Sequence, residues 1–135
     1  MPALDTNVLV RYVVRDDAAQ LAVARALIRR CVEREQTLFV PVTVLLELEW
    51  VLRSAYGFAK DRVIHVVAAL LSAAELRFES EQALEVALQL HREGAAGFAD
   101  CIHVALAADA GEQPMWTFDR RAARVPGTRL LSRRL

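Results

Sequence analysis

The chain has 135 residues and a formal net charge of zero, with 17 Lys and Arg residues against 17 Asp and Glu residues. This length fits one compact domain spanning residues 1–135, large enough to bury about two-thirds of its unfolded surface. Hydrophobic residues make up 55% of the sequence, which excludes an intrinsically disordered chain. The balanced charge excludes a strong global field of the kind that general nucleic-acid binders carry.

No segment has the pattern of a membrane span or a secretory signal. The longest apolar stretch, residues 63–74, is shorter than the roughly 20 residues that cross a bilayer. The N-terminus carries Asp5 and lacks the basic region that precedes the apolar core of a signal peptide. We therefore expect a cytoplasmic protein without membrane contact.

Short apolar runs alternate with amphipathic stretches, which is typical of a parallel sheet with helical crossovers. We predict strands at residues 2–4, 38–40, 75–78, 115–118 and 129–131. Helices are predicted at residues 18–34, 43–54, 60–71, 81–92 and 98–108, where Leu, Val and Ala recur at three- and four-residue steps. If the first three strands wind outward and the fourth crosses to the other side of the first, strands one and four flank the ligand-binding crevice.

Four carboxylates stand where an apolar run meets a turn or the start of a helix: Asp5, Glu47, Asp100 and Asp119. Taken singly, Asp5 or Asp119 is more often a helix N-cap, and Glu47 or Asp100 a satisfied polar group at a helix edge. If the fold brings the four together, their mutual repulsion requires a divalent cation. The functional interpretation therefore depends on their convergence.

Soft metal ligands do not accompany these acids. Cys31 and Cys101 lie in separate helical patterns, without the spacing of a zinc site, so we expect two reduced packing residues. His103 lies three positions after Asp100 and could share its helix face, but a helix histidine without chemistry is the more common case. Hard oxygen ligands alone favour Mg²⁺ or Mn²⁺.

Basic residues are concentrated at the C-terminal end. Lys60 is the single lysine, and the segment after Asp119 carries arginines with no further acid: Arg120, Arg121, Arg124, Arg129, Arg133 and Arg134. A basic segment beside an acidic metal site suits a polyanion held by its phosphates. A solvated tail is a nearly equal alternative.

The four acidic segments resemble, in order, the motifs of the PIN-domain ribonucleases, and especially of the VapC toxins of bacterial VapBC toxin–antitoxin pairs. They are Leu-Asp-Thr-Asn-Val-Leu at residues 4–9, Leu-Leu-Glu-Leu-Glu-Trp-Val-Leu at 45–52, Phe-Ala-Asp-Cys-Ile-His at 98–103, and Thr-Phe-Asp-Arg at 117–120. The resemblance covers nearly the whole chain. It implies a single PIN domain with a three-layer α/β/α fold around a central, mostly parallel five-stranded sheet.

The resemblance also implies a Mg²⁺- or Mn²⁺-dependent endoribonuclease that leaves a 5′-phosphate and a 3′-hydroxyl. The implied catalytic residues are Asp5, Glu47, Asp100 and Asp119. Of these, Asp5, Asp100 and Asp119 are expected to hold the metal, with Glu47 as a ligand or as the group that orients the attacking water. The nearby polar side chains expected to support the ligands are Thr6, Asn7 and Thr117, although local helix capping explains them about as well. The expected RNA-binding residues are Arg120, Arg121 and Arg124.

Two positions need comment. Gly97 stands where many relatives have an additional acid, so a second metal is expected to bind weakly. Glu49 is a nearby competitor to Glu47, but two helix positions apart they point to different faces, and the motif match favours Glu47.

The implied partners are RNA, a VapB-like antitoxin that forms a hetero-oligomer with the protein, and a second copy in a homodimer. Within the fold, the alternative is an RNA-processing nuclease without an antitoxin. A catalytically inactive RNA-binding module is the alternative from a different class. A haloacid-dehalogenase-like phosphatase is excluded, because it needs an Asp two positions after the first, where this chain has Asn7.

Overall fold

A computed structural model describes residues 2–132 of the chain. Backbone contacts divide it into two compact units, Met1–Glu79 and Ser80–Leu135. We call them unit 1 and unit 2. Both contain helices and parallel strand pairs, so the predicted α/β class with parallel strands is confirmed. That residues 1–135 form one domain stays a prediction.

Unit 1 is mainly helical, with a small parallel sheet. Its elements are α1 (Thr6–Val14), α2 (Ala18–Glu33), β1 (Leu38–Val40), α3 (Val42–Ser54), α4 (Lys60–Leu71) and β2 (Leu76–Phe78). Strand β1 pairs with β2 in parallel, with Val40 opposite Phe78. On its other side, β1 meets Ala3 through a single parallel bridge to Phe39. The predicted first strand is thus reduced to a bridge. The order of Ala3, β1 and β2 is the one in which the first three segments wind outward.

Helix α1 was not among the segments with a clear helical pattern, since valines and a threonine dominate it and such residues favour strands. Its start is fixed by Asp5, which has extended backbone angles and accepts a hydrogen bond from the Thr6 amide. Its end is fixed by Arg15 in the left-handed region, at φ 61°. Helix α1 packs against α2 and α3, and this tertiary contact overrides the weak local propensity.

The N-terminus of α3, the helix that carries Glu47, is capped from a distance. Pro41 at the N-cap position makes no side-chain hydrogen bond. Instead, the Val42 amide donates to Glu79 Oε1 at 2.9 Å, and Glu79 directly follows β2. Glu79, directly after β2, therefore caps the first turn of α3, the helix that follows the neighbouring strand β1.

Unit 2 comprises α5 (Glu81–Glu93), α6 (Phe98–Asp109), β3 (Met115–Thr117), a short 3₁₀ turn (Ala122–Arg124) and β4 (Thr128–Leu130). Helices α5 and α6 pack on each other, and β3 pairs with β4 in parallel. The predicted fourth and fifth strands are therefore present as a pair. Their union with the strands of unit 1 into one five-stranded sheet stays a prediction.

Each unit has an apolar core of its own. In unit 1 the side chains of Leu38, Val40, Leu45, Leu48 and Leu52 are fully buried. In unit 2 the core is built from α5 and α6, with Leu84, Ala87, Phe98, Cys101 and Ile102 at 2% exposure or less. Burial at this level stabilises a fold by about 1.5–3 kcal/mol for each large aliphatic or Phe side chain.

Two further expectations concern the whole described chain. Cys31 and Cys101 are both buried and form no disulfide within residues 2–132, which confirms their role in packing. Over the same residues, every helix falls short of the length and apolar character that a bilayer crossing requires.

Candidate active site

The first predicted acid, Asp5, lies at the junction between the Ala3 bridge and α1. Its Oδ1 accepts a hydrogen bond from the Thr6 amide at 2.7 Å, while the residue as a whole is exposed. The capping role considered for Asp5 is therefore real. It occupies one carboxylate oxygen, and Oδ2 accepts no hydrogen bond from residues 2–132.

The second acid, Glu47, projects from the second turn of α3 and is exposed, whereas Glu49 is only 4% exposed. Glu49 is bound by Arg53, whose Nε lies 2.8 Å from Glu49 Oε2. This hydrogen bond, opposed in part by burial and supported by the charge of Glu49, raises the pKa of Arg53. Glu49 thus has a structural partner one turn away, while Glu47 forms no ion pair within residues 2–132.

Asp5 and Glu47 line the same open cavity, which has a volume of about 590 Å³. Thr6, Asn7 and Arg11 also line it. The structure therefore brings together the first two predicted acids and two of the predicted supporting residues. The Thr6 hydroxyl oxygen is buried and has no hydrogen-bond partner within the described residues. An unpaired buried hydroxyl costs about 1–3 kcal/mol, so a polar ligand that reached it would bind with that advantage.

Arg11 is a site residue that the sequence interpretation missed. Its Nη1 lies 3.0 Å from Asp16 Oδ1 and 3.1 Å from the Tyr56 hydroxyl, and its Nε donates to Gln20. The hydrogen bond with Tyr56 and the charge of Asp16 raise the pKa of Arg11. A signal was available, because Arg11 follows Asn7 by four residues and so lies on the same helix face.

Asp16 is held in its charged form by the same group of side chains. Partial burial acts to raise its pKa, but the hydrogen bond from the Tyr56 hydroxyl and the charge of Arg11 outweigh burial and lower it. Arg11 is therefore anchored from the loop after α1 and from the segment after α3. Its charge lies beside the two acids of the cavity, and Nη2 is left without a hydrogen bond within residues 2–132.

The third acid, Asp100, lies in the first turn of α6 and is half-buried. Within residues 2–132 it makes no hydrogen bond or ion pair, so no structural partner accounts for its charge. The N-cap residue, Gly97, has no side chain, and a Cβ there would lie 3.6 Å from Asp100 Oδ2. Position 97, where the family resemblance implies an additional acid in many relatives, therefore adjoins the Asp100 carboxylate.

The fourth acid, Asp119, follows β3 by two residues and is exposed. Its Oδ1 accepts hydrogen bonds from the amides of Arg121 at 2.7 Å and Ala122 at 3.0 Å, which caps the 3₁₀ turn. Thr117 Oγ1 accepts a hydrogen bond from the Asp119 amide at 3.0 Å. Thr117 thus fixes the backbone of Asp119 and makes no hydrogen bond with its carboxylate within residues 2–132. This is the local capping role that was the alternative to a supporting role at the metal.

The three arginines predicted to bind RNA, Arg120, Arg121 and Arg124, are all exposed and follow Asp119 directly. Arg129 on β4 is exposed as well. Arg133 and Arg134, the last two of the predicted basic segment, lie outside the described residues. His103 is exposed on α6, one turn beyond Asp100.

The donor set suits a hard divalent cation, since every candidate ligand is a carboxylate oxygen. Among residues 2–132, however, no three or more His, Cys, Asp or Glu side chains form a group that could hold a metal ion. The structure places Asp5 with Glu47 in unit 1, and Asp100 and Asp119 in unit 2. The convergence of the two pairs on one ion stays a prediction.

Comparison with known proteins bears on the chain as a whole. A VapC ribonuclease from Aquifex aeolicus (strain VF5) is 24% identical over 121 residues, which cover 90% of this chain and 89% of the relative. The family model described as PIN domain matches residues 3–128. This match runs through both units, and residues 3–128 contain all four predicted acids. The chain belongs to the PIN domain family.

Proposed function

We propose that this protein is a metal-dependent endoribonuclease, the toxin component of a VapBC-type toxin–antitoxin system, that cleaves RNA phosphodiester bonds and inhibits translation and growth. The observation that carries the proposal is the cavity of unit 1, where Asp5 and Glu47 lie together inside a segment matched by the PIN family model. The similarity to a VapC ribonuclease along almost the full length of both chains supports the same activity.

The proposed metal ligands are Asp5, Asp100 and Asp119, which would hold Mg²⁺ or Mn²⁺. Asp5 in unit 1 and Asp119 in unit 2 each accept backbone amide hydrogen bonds at Oδ1. Oδ2 of each acid accepts no hydrogen bond from residues 2–132 and can bind a ligand. The hydrogen bonds to Oδ1 fix the direction of Oδ2, which pre-orients the carboxylate. When bound, the ion supplies a Lewis acid for the phosphate and lowers the pKa of water.

The protein's own groups divide the remaining work. Glu47 lines the cavity beside Asp5, and in the proposal it either joins the metal ligands or orients the attacking water. Thr117 keeps the Asp119 backbone in place. Arg120, Arg121 and Arg124 hold the RNA through its phosphates.

Metal binding provides a test that does not depend on activity. Calorimetric titration with Mn²⁺ should show strongly weakened binding for Asp5→Asn and for Asp100→Asn, one variant from each unit. Asp17→Asn is the matched control, because Asp17 caps α2 by accepting a hydrogen bond from the Gln20 amide and has no place in the proposed site. Unchanged Mn²⁺ affinity in Asp100→Asn would remove Asp100 from the ligand set.

Cleavage provides the second test. Purified protein should cut single-stranded RNA in Mg²⁺ or Mn²⁺, stop when EDTA is in excess, and resume when the metal is restored. Expression in cells should arrest growth, and Glu47→Gln should relieve the arrest. Full cleavage in excess EDTA would refute the metal mechanism.

The proposed assembly is a homodimer that forms a hetero-oligomer with a VapB-like antitoxin. We expect a short upstream reading frame that encodes a DNA-binding antitoxin, and its co-expression should yield a co-purifying complex without ribonuclease activity. A protein that cleaves RNA but neither arrests growth nor recovers a partner would instead be an RNA-processing nuclease. Specific RNA binding without cleavage would identify an inactive binding module.

A further inference from the structure

Exposed aromatic side chains lie next to the last acid of the site. Phe118, between Thr117 and Asp119, is 78% exposed, and Trp116 on β3 is 48% exposed. Leu130 on the paired strand β4 is 40% exposed. Scattered exposed apolar residues need no explanation, but two aromatic rings within three residues of chain, beside a candidate catalytic acid, form a local patch.

Arginines adjoin this patch along the chain and across the strand pair. In the parallel pairing of β3 and β4, Trp116 lies opposite Arg129, which is exposed. Arg120 and Arg121 follow Phe118 and Asp119 directly and are also exposed. None of these three arginines forms an ion pair with an acid within residues 2–132. The one acid that adjoins them in sequence is Asp119, whose Oδ1 is bound by backbone amides, so within residues 2–132 the three guanidinium groups are not paired with a carboxylate.

The rings themselves are open. Neither Trp116 nor Phe118 makes a ring contact or a cation–π contact with another described side chain. Exposed rings next to arginines that form no ion pair within residues 2–132 match the chemistry of a single-stranded polynucleotide, in which unpaired bases offer stacking faces and the backbone offers phosphates. A duplex buries its base faces and could use only the arginines.

We propose that Trp116 and Phe118 form a base-stacking platform for single-stranded RNA beside Asp119, with Arg129 and Arg120 holding the adjoining phosphates. The proposal rests on the proposed function in taking single-stranded RNA as the ligand, and it adds the two side chains on which the unpaired bases stack. The platform places the stacked bases next to the bond that Asp119 would help to cleave.

Tryptophan fluorescence gives a direct readout. The chain has 2 tryptophans, so Trp50→Phe leaves Trp116 as the single reporter, and Asp5→Asn with EDTA prevents cleavage during the measurement. Addition of a short single-stranded oligouridylate should quench Trp116 fluorescence saturably. An RNA duplex of the same length should quench it weakly.

Substitutions at Phe118 test stacking against simple hydrophobic contact. In this background, Phe118→Leu should raise the Kd for oligouridylate about 5- to 150-fold, the range expected for loss of one base–aromatic stack, whereas Phe118→Tyr should retain affinity. Val86→Ala is the matched control, because Val86 is 49% exposed in the same unit but belongs to α5 and not to β3 or the residues that follow it. Circular dichroism confirms that each variant is folded.

Other outcomes would overturn the platform. Equal Kd values for Phe118→Leu and Phe118→Tyr would show that the ring does not stack, and equal quenching by duplex RNA would show that unpaired bases are not selected. If Phe118→Leu dissociates a homodimer in sedimentation while RNA affinity is unchanged, the patch binds a second copy of the chain. Failure of the proposed function gives a different result. If RNA quenches Trp116 fluorescence but the unmodified protein cleaves no RNA, the stacking proposal holds and the nuclease proposal fails.

Discussion

Replacement of Asp119 by two different residues separates the two roles that the structure gives this side chain. Oδ1 caps the 3₁₀ turn through the amides of Arg121 and Ala122, while the negative charge belongs to the proposed metal site. Asp119→Asn preserves a side-chain oxygen for both amides and removes the charge. Asp119→Ala removes both.

The expected magnitudes follow from these contacts. Asn caps helices about as well as Asp, so Asp119→Asn should leave the free energy of unfolding of the metal-free protein almost unchanged. Asp119→Ala leaves two amides without their acceptor and should cost about 0.5–2 kcal/mol. Each kcal/mol corresponds to about 2–8 °C in Tm for proteins near this size. Both variants should lose at least about 10- to 100-fold in cleavage, because both lack the proposed ligand.

The assay is a set of thermal melts in EDTA, so that metal binding does not stabilise one variant selectively, together with a cleavage assay in Mn²⁺. Asp17→Ala is the matched control, because it removes an N-cap acceptor from the Gln20 amide in unit 1. It should lower the Tm by a similar amount and leave the activity of the folded protein unchanged. Near-normal cleavage by Asp119→Asn would refute the catalytic role, and an Asp119→Ala variant as stable as Asp119→Asn would refute the capping role.

Glu49→Gln should lower the free energy of unfolding by about 1 kcal/mol or more, because it removes the charged partner of Arg53, but it should retain cleavage. Glu47→Gln should keep the stability and lose cleavage. Thermal melts and an RNA cleavage assay of both variants measure the difference. The pKa of Asp16 is lowered from its ordinary value of 3.8, so the stability that Asp16 contributes is present above about pH 4 and is lost as the pH falls further. The Tm difference between the unmodified protein and Asp16→Asn should therefore shrink in melts below pH 4, and a constant difference would contradict this. Replacing Arg120, Arg121 and Arg124 together by Ala should weaken binding to every RNA tested. The slope of log K against log salt concentration should become shallower by about 0.7 for each lost phosphate contact. An unchanged slope would show that these arginines are solvated and do not bind RNA.

Helix positions were well predicted where apolar spacing and the flanking residues agree. Helix α4 has the predicted limits at both ends, and α5 extends only one residue further, to Glu93. Gly57 and Gly111 lie just beyond α3 and α6 with φ of 67° and 75°, a conformation that favours glycine at a helix end. Local sequence carries this information, because a helix and its stop signal occupy neighbouring positions.

Helix α1 and the Arg11 contacts were missed for a different reason. In α1 the β-branched residues favour a strand locally, and the contacts with α2 and α3 that decide the outcome involve distant parts of the chain. Arg11 meets Tyr56, 45 residues away in sequence. A pairing of that kind leaves no periodic signal, and only folding brings the two side chains together.

The four acids could be singled out because each stands where an apolar run meets a turn or the start of a helix, and because their segments resemble the PIN-domain motifs in order. The hydrogen-bond partners and the burial of each acid could not be predicted from the sequence. Asp5 and Asp119 proved to be caps as well as candidate ligands, and the burial of Glu49 against the exposure of Glu47 appeared only in the structure.

The hydrogen bond from the Val42 amide to the Glu79 carboxylate affects the order in which the helices of this chain can form during synthesis. Helix α3 is made early, but the acceptor that closes its first turn is the final residue of unit 1. A nascent chain that stops before residue 79 has Glu47 on a helix with an unsatisfied start. A chain that has just passed that residue has a complete α3, yet neither Asp100 nor Asp119 has been translated. Of the four acids, the ribosome therefore delivers first the pair that shares a cavity, and the enzyme that we propose cannot act on RNA until the second pair has emerged.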